Sequence, residues 1–197
     1  MLQEGMKVIA IARKNVGHQR EITPADEFNM TLVGYLSFFD APKQTAKESV
    51  AALKRLKVTP KILTGDQAAI AVSVCHRVGI SAEAVLTGAK LDEMTDSELR
   101  KAVEEIYVFA ELTPGQKVRL VSALQENGHS VGFLGDGVND IPALNEANVG
   151  ISVDTAVDSA KDAADVVLLQ KDLNVLEQGV LEGRKTFTNM LKYIKIT

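Results

Sequence analysis

The chain has no tryptophan, a single cysteine (Cys75), three histidines and only five prolines among its 197 residues. One cysteine excludes an internal disulfide, and a reducing cytosolic setting is the expectation that goes with it. His18, His76 and His129 are scattered without the spacing of metal ligands. Basic residues number 22 and acidic ones 26, a formal charge of −4 with no long block of either sign. Neither nucleic acid nor an anionic membrane surface therefore has electrostatic support as a partner, and any phosphate must be held locally. No run approaches the ~20 apolar residues that span a bilayer, and the N-terminus lacks a basic-then-apolar secretion signal. By itself this chain is expected to transport nothing. Repeats and low-complexity tracts are absent as well. What is present, 46% hydrophobic and 24% charged residues, is an ordinary globular composition with enough length for a substantial core.

Short apolar runs rich in branched residues alternate with segments of helical periodicity, the pattern of βα units around a mostly parallel sheet. The expected class is α/β, three-layered and Rossmann-like. Candidate strands are Lys7 to Ala12, Thr31 to Phe39, Pro60 to Leu63, Ile106 to Phe109, Ser130 to Leu134, Val149 to Val153 and Asp165 to Leu169. Between the second and third, Ala46, Val50, Leu53 and Leu56 recur at helical spacing and predict an amphipathic crossover helix. Pro114 to Glu126 predicts another, with Thr113 as N-cap, Pro114 in the first turn, Asn127-Gly128 at the end, and Leu120, Val121 and Leu124 facing the sheet. Residues 1–30 offer one strand-like run and a polar stretch without a crossover helix, which reads as the tail of a neighbouring domain. Residues 31–172 then form the main domain, and 173–197 a C-terminal helix.

Three strand ends carry candidate chemistry. Val131 to Leu134 runs into Gly135-Asp136-Gly137-Val138-Asn139-Asp140, where Asp136 and Asp140 supply hard oxygen ligands suited to Mg2+ and Asn139 an amide for a phosphoryl oxygen. Lys61-Ile62-Leu63-Thr64-Gly65-Asp66 places a hydroxyl and backbone N–H groups just before a helix, a natural phosphate cradle; Thr64 or Asp66 could equally just cap that helix. Lys117 follows the helix-starting Pro114 and can neutralise phosphate as a point charge, although a lone helical lysine is usually a solvated surface residue.

The order of hydroxyl, lysine and paired carboxylates resembles the haloacid-dehalogenase-like phosphoryl-transfer fold. The wording goes further. Leu63-Thr64-Gly65-Asp66, Thr113-Pro114 with Lys117, and Gly135-Asp136-Gly137-Val138-Asn139-Asp140-Ile141-Pro142-Ala143-Leu144 resemble hallmark segments of P-type cation-transporting ATPases. Val149 to Asp154, Glu182 to Phe187 and Lys192 to Lys195 look most like the magnesium-transporting subgroup. The resemblance implies that Asp136 and Asp140 bind Mg2+, that Asn139 and Lys117 contact the phosphoryl group, and that Thr64 and Gly65 position it. It also implies that Asp66 lies near the nucleotide phosphates of ATP. Asp40, in Phe39-Asp40-Ala41-Pro42-Lys43, falls in a segment like the family's hinge and joins Thr64, Gly65 and Asp66 on the nucleotide side; Ala41 departs from the usual Asp-Pro-Pro.

A larger departure is that no Asp-Lys-Thr-Gly-Thr segment, whose aspartate accepts phosphate in this family, occurs in the sequence. The implied protein is thus the cytoplasmic, phosphoryl-transfer portion of a membrane pump. Residues 1–30 would be the end of its nucleotide-binding domain and 173–197 its stalk; its partners would be ATP or phosphate, the membrane helices and the actuator domain. The isolated chain is expected to be inactive. Two other readings stand beside it. One is a soluble phosphatase with Asp40 as nucleophile, against which Pro42 occupies the place of the usual general acid. The other is a non-catalytic truncated or regulatory fragment.

Overall fold

The computed structural model of the chain describes residues 7–17, 21, 23–38, 45–170 and 172–196. Along these run β1 (Lys7–Arg13), β2 (Thr31–Phe38), α1 (Thr45–Arg55), β3 (Ile62–Leu63), α2 (Ala68–Val78), β4 (Val85–Thr87), α3 (Gly88–Asp92) and α4 (Asp96–Glu105). There follow β5 (Val108–Ala110), α5 (Pro114–Glu126), β6 (Gly132–Leu134), α6 (Ile141–Glu146), β7 (Val149–Val153), α7 (Asp158–Asp162), β8 (Val166–Leu168) and α8 (Leu173–Ile196). The α/β alternation holds, and every pairing from β3 onward is parallel.

Two features differ from the sequence expectation. The parallel strands do not make one sheet but two of three strands, ordered β3-β5-β4 and β6-β7-β8. Among the described residues β3 pairs with β5 alone and β6 with β7 alone, so both are edge strands, as β4 and β8 are at the far sides of the two sheets. Strand composition reveals that a segment is extended and not which neighbour it finds. The Thr31 to Phe39 run shows the same limit, because β2 pairs antiparallel with β1, from Lys7 opposite Phe38 to Arg13 opposite Thr31. The predicted first strand of the parallel sheet is therefore one arm of a separate ribbon. Short β4, with only three residues, escaped notice beside longer apolar runs.

Two sheets need a common support, and α5 supplies it. Leu120 and Ala123 pack into one core cluster with Leu86, Leu99, Val103 and Phe109, while Val121 packs into another with Phe133, Leu144, Val153 and Leu168. Adjacent side chains of one helix thus serve both sheets, and Leu63 at the end of β3 touches both clusters. The sequence-predicted signals fix where α5 begins and ends. Thr113 Oγ1 accepts the Gln116 amide, Gln116 Oε1 accepts the Thr113 amide, Pro114 takes the first turn, and Gly128 has a φ of +85°. A third cluster, around Val50, Cys75, Val78 and Val108, packs α1 and α2 on the outer face of the first sheet.

In the second sheet α6 approaches β7 backbone to backbone. A Cβ added at Gly150 would stand 2.6 Å from the Leu144 carbonyl oxygen. Gly150→Ala is expected to lower stability by about 1–3 kcal/mol through overpacking. Urea denaturation checks this as a lower midpoint with an unchanged slope.

Candidate active site

Open-edged parallel sheets concentrate loop backbone at the carboxyl ends of their strands, where ligands bind in such folds. Here β3, β5 and β6 deliver Thr64, the loop into α5, and the Gly135–Asp140 turn to one place. A cavity of about 440 Å3 lies between the two sheets and is lined by Leu63, Thr64 and Lys117 on one side and Leu134, Gly135, Asp136 and Asp140 on the other. A second of about 280 Å3 is lined by Gly65, Leu112, Pro114, Lys117, Asn139 and Asp140, among others. Lys117 and Asp140 border both.

Those two side chains bind each other. Lys117 Nζ donates to Asp140 Oδ1 at 2.7 Å, with side chains only 11% and 16% exposed. Lys117 is thus the exception to the usual solvated lysine, held one turn into α5. The other carboxylate oxygen of Asp140 accepts the amides of Asp136 and Gly137, both at 3.3 Å. Asp140 therefore shapes the turn that presents Asp136. Gly135 is required by this closeness, since a Cβ there would lie 2.5 Å from Asp140 Cβ. Buried Ser152 donates its hydroxyl to the Gly135 carbonyl at 3.0 Å, and the Val157 amide donates to the Asp136 carbonyl at 3.2 Å. The turn is fixed from three directions.

On the opposite wall, the Thr64 amide donates to Phe109 O and the Thr64 carbonyl accepts the Leu112 amide. Thr64 Oγ1 accepts the Asp66 amide at 3.0 Å, closing a tight turn around Gly65. The N-cap residue of α2 is Gln67, which makes no side-chain cap bond, and the Thr64 hydroxyl is taken up by the Asp66 amide. Asp66 lines neither cavity, and Asp40 with its hinge-like segment lies outside the described residues.

Sequence reasoning missed three participants. Ser152 had a signal, a polar residue within a buried strand. Asp172 did not: it lines the large cavity, accepts the Asn174 amide at 2.9 Å at the start of α8, and lies 3.4 Å from the hydroxyl of Thr45 at the start of α1. Glu111, whose carboxylate accepts the Ala68 amide, had none either.

As a metal centre the site is spare. The described residues contain no group of three or more His, Cys, Asp or Glu able to enclose an ion. Two carboxylates at one turn, beside an open cavity, instead suit Mg2+, which keeps waters and shares substrate phosphate rather than seeking an all-protein cage.

A parallel α/β fold thus gathers a hydroxyl, a lysine and paired aspartates at its strand ends, and comparison with known proteins gives its class. Residues 5–148 match the haloacid dehalogenase-like hydrolase family, and the chain belongs to it. More particularly, it is similar to the magnesium-transporting P-type ATPase 1 of Escherichia coli, 48% identical over 196 residues, covering 99% of this chain and 22% of that protein. The protein of the same name from Salmonella typhimurium is likewise 48% identical over 197 residues, covering 98% and 22%. The chain thus spans about a fifth of the length of these relatives. The crystal structure of a zinc-transporting PIB-type ATPase in its E2.Pi state shares the fold, with a TM-score of 0.68, 24% identity, and coverage of 97% of this chain and 25% of that one.

Removing one partner of a shielded ion pair strands the other charge, at about 3–5 kcal/mol. Lys117→Met is therefore expected to destabilise by about 3 kcal/mol, whereas adding Asp140→Asn to it costs less than the two single losses combined. A double-mutant cycle by urea denaturation reads the coupling, expected to be at least ~1 kcal/mol.

Proposed function

We propose that the chain is the phosphoryl-transfer portion of an ATP-driven cation pump of the P-type, magnesium-transporting by its resemblance. In this reading the phosphorylated aspartate comes from an Asp-Lys-Thr-Gly-Thr segment elsewhere in a longer protein. The observation that carries the reading is the pair of open sheet edges. β3 and β6 both border the large cavity at Leu63 and Leu134, and both end at the candidate site. One further parallel strand between them would complete a single sheet and bring a residue at its carboxyl end beside Thr64, Lys117, Asp136 and Asp140.

The chain's own residues then have distinct tasks. Lys117 holds positive charge where a phosphoryl group would accumulate negative charge, an effect strengthened by its burial. The hydroxyl of Thr64 and the backbone around Gly65 orient phosphoryl oxygens, and the Asn139 amide is available from the second cavity. Asp136 and Asp140 would hold Mg2+, which when bound offsets charge on the transferring phosphoryl oxygens. Because the phosphate acceptor in this reading comes from the added strand, these residues contribute positioning and electrostatics. Asp66 and the segment bearing Asp40 would lie toward the nucleotide, residues 1–30 would belong to the nucleotide-binding domain, and α8 would continue as the stalk toward membrane helices in the intact pump.

Calorimetric titration with Mg2+ tests this. Asp136→Asn is expected to weaken Mg2+ binding at least ~10-fold, by loss of a direct ligand, and Asp40→Asn to leave it unchanged. Addition of a synthetic strand peptide ending in Asp-Lys-Thr-Gly-Thr should produce Mg2+-dependent capture of beryllium fluoride, while the chain alone shows negligible ATP turnover. Native Mg2+ affinity in Asp136→Asn, or capture that needs Asp40 and no peptide, would overturn the proposal.

A further inference from the structure

We propose that Glu111 is a positioning residue, fastening the Thr64–Asp66 turn to the start of the helix that carries Lys117. The inference rests on the phosphoryl-transfer reading above and adds a residue that none of the hallmark segments contains.

The N-cap residue of α2 does not cap it. Its first amides have no intrahelical acceptor, Gln67 makes no side-chain cap bond, and the hydroxyl of Thr64 is engaged with the Asp66 amide. The missing acceptor arrives from 43 residues away: Glu111 Oε1 accepts the amide of Ala68, the first helical residue, at 3.2 Å. A carboxylate there also faces the positive end of the helix dipole.

Backbone contacts make the same junction. The Glu111 amide donates to Asp66 O at 2.9 Å, and the Leu112 amide donates to Thr64 O at 3.1 Å. With the side-chain bond, residues 111 and 112 hold the 64–68 segment at three points. Two residues on, Thr113 caps α5, and Lys117 follows one turn later.

The backbone of Glu111 is in the left-handed region, with φ +58°. That conformation is unfavourable for a residue with a Cβ and is tolerated best by glycine or asparagine. It lets the amide reach Asp66 while the carbonyl points at Gly88, where an added Cβ would stand 2.5 Å from Glu111 O. Gly88 leaves room for a chain path that glutamate does not favour intrinsically. A strained residue held by its surroundings beside a candidate site is a hint of function, and here the side chain supplies what glycine could not, the acceptor for α2. Glu111 lines neither cavity, so its charge serves the helix terminus and does not meet an incoming phosphate.

Three variants of the chain test this: Glu111→Gln, which keeps the acceptor oxygen; Glu111→Ala, which loses it; and Glu111→Gly, which loses it while relieving the left-handed backbone. Loss of a helix cap is expected to raise amide hydrogen exchange at Ala68 about fivefold in Glu111→Ala and Glu111→Gly, with Glu111→Gln near native. Affinity for inorganic phosphate in the presence of Mg2+ should fall several-fold in the same two variants and be retained in Glu111→Gln. Binding of Mg2+ alone, which depends on the Asp136–Asp140 turn, should be unchanged in all three. Unaltered Ala68 exchange in Glu111→Gly overturns the proposal, as does raised exchange with native phosphate affinity. If the native chain takes up Mg2+ but no phosphate, the phosphoryl-transfer reading fails instead, and exchange across residues 64–68 alone decides whether Glu111 holds the turn.

Discussion

The ion pair between Lys117 and Asp140 joins the two sheets at the point where both lose their neighbours. At 2.7 Å its gross attraction is about 6 kcal/mol for an effective dielectric near 20. Desolvation of two charges consumes several kcal/mol of this, so the net contribution to stability is small. Its value lies in specificity. Lys117 is rooted in α5, which packs on both cores, and Asp140 shapes the turn after β6 through two backbone amides. One contact therefore sets the distance across the cavity and the direction of the turn bearing Asp136.

The rest of the site is built so that this contact is not disturbed. Gly135 has no side chain because Asp140 occupies the space, and Ser152 ties the Gly135 carbonyl to β7 in a fully buried hydrogen bond. On the other wall, the turn at Gly65 is held through Thr64, Asp66 and the 111–112 backbone. The two walls have separate cores behind them and share α5, with Leu63 reaching into both. Such a division allows a rigid site to border an open slot.

Much of this was legible because the chemistry is written in short local strings. Gly135–Asp140 and Thr64-Gly65 follow directly on strand ends and Thr113–Lys117 is the cap and first turn of α5, places where spacing alone positions side chains. Local rules also gave α5 its limits, through Thr113, Pro114 and Gly128. Pairing was not legible: Thr31 to Phe38 has the same β-forming composition whether its partner is β1 or a parallel strand, and nothing local says that β3 and β6 keep an open edge. Nor was Glu111, whose role depends on an amide 43 residues away and on the vacancy at Gly88. Asp172 escaped for the same reason, since its link to Thr45 spans 127 residues.

Charge in the large cavity constrains how the proposed chemistry can proceed. Among the described residues its lining contains one cationic side chain, Lys117, and three carboxylates, Asp136, Asp140 and Asp172, for a formal balance of −2 on walls otherwise dominated by Leu63, Leu134, Val153 and Leu168. Lys117 is already committed to Asp140. A phosphoryl group carrying further negative charge would meet repulsion that apolar walls screen poorly, and an aspartate supplied by an added strand would deepen it by one more charge. A single lysine cannot offset that total. A divalent cation held by Asp136 and Asp140 would bring that balance from −2 to zero and compete with Lys117 for Asp140, so that under the proposed function the count of charges favours a metal as much as the identity of the ligands does.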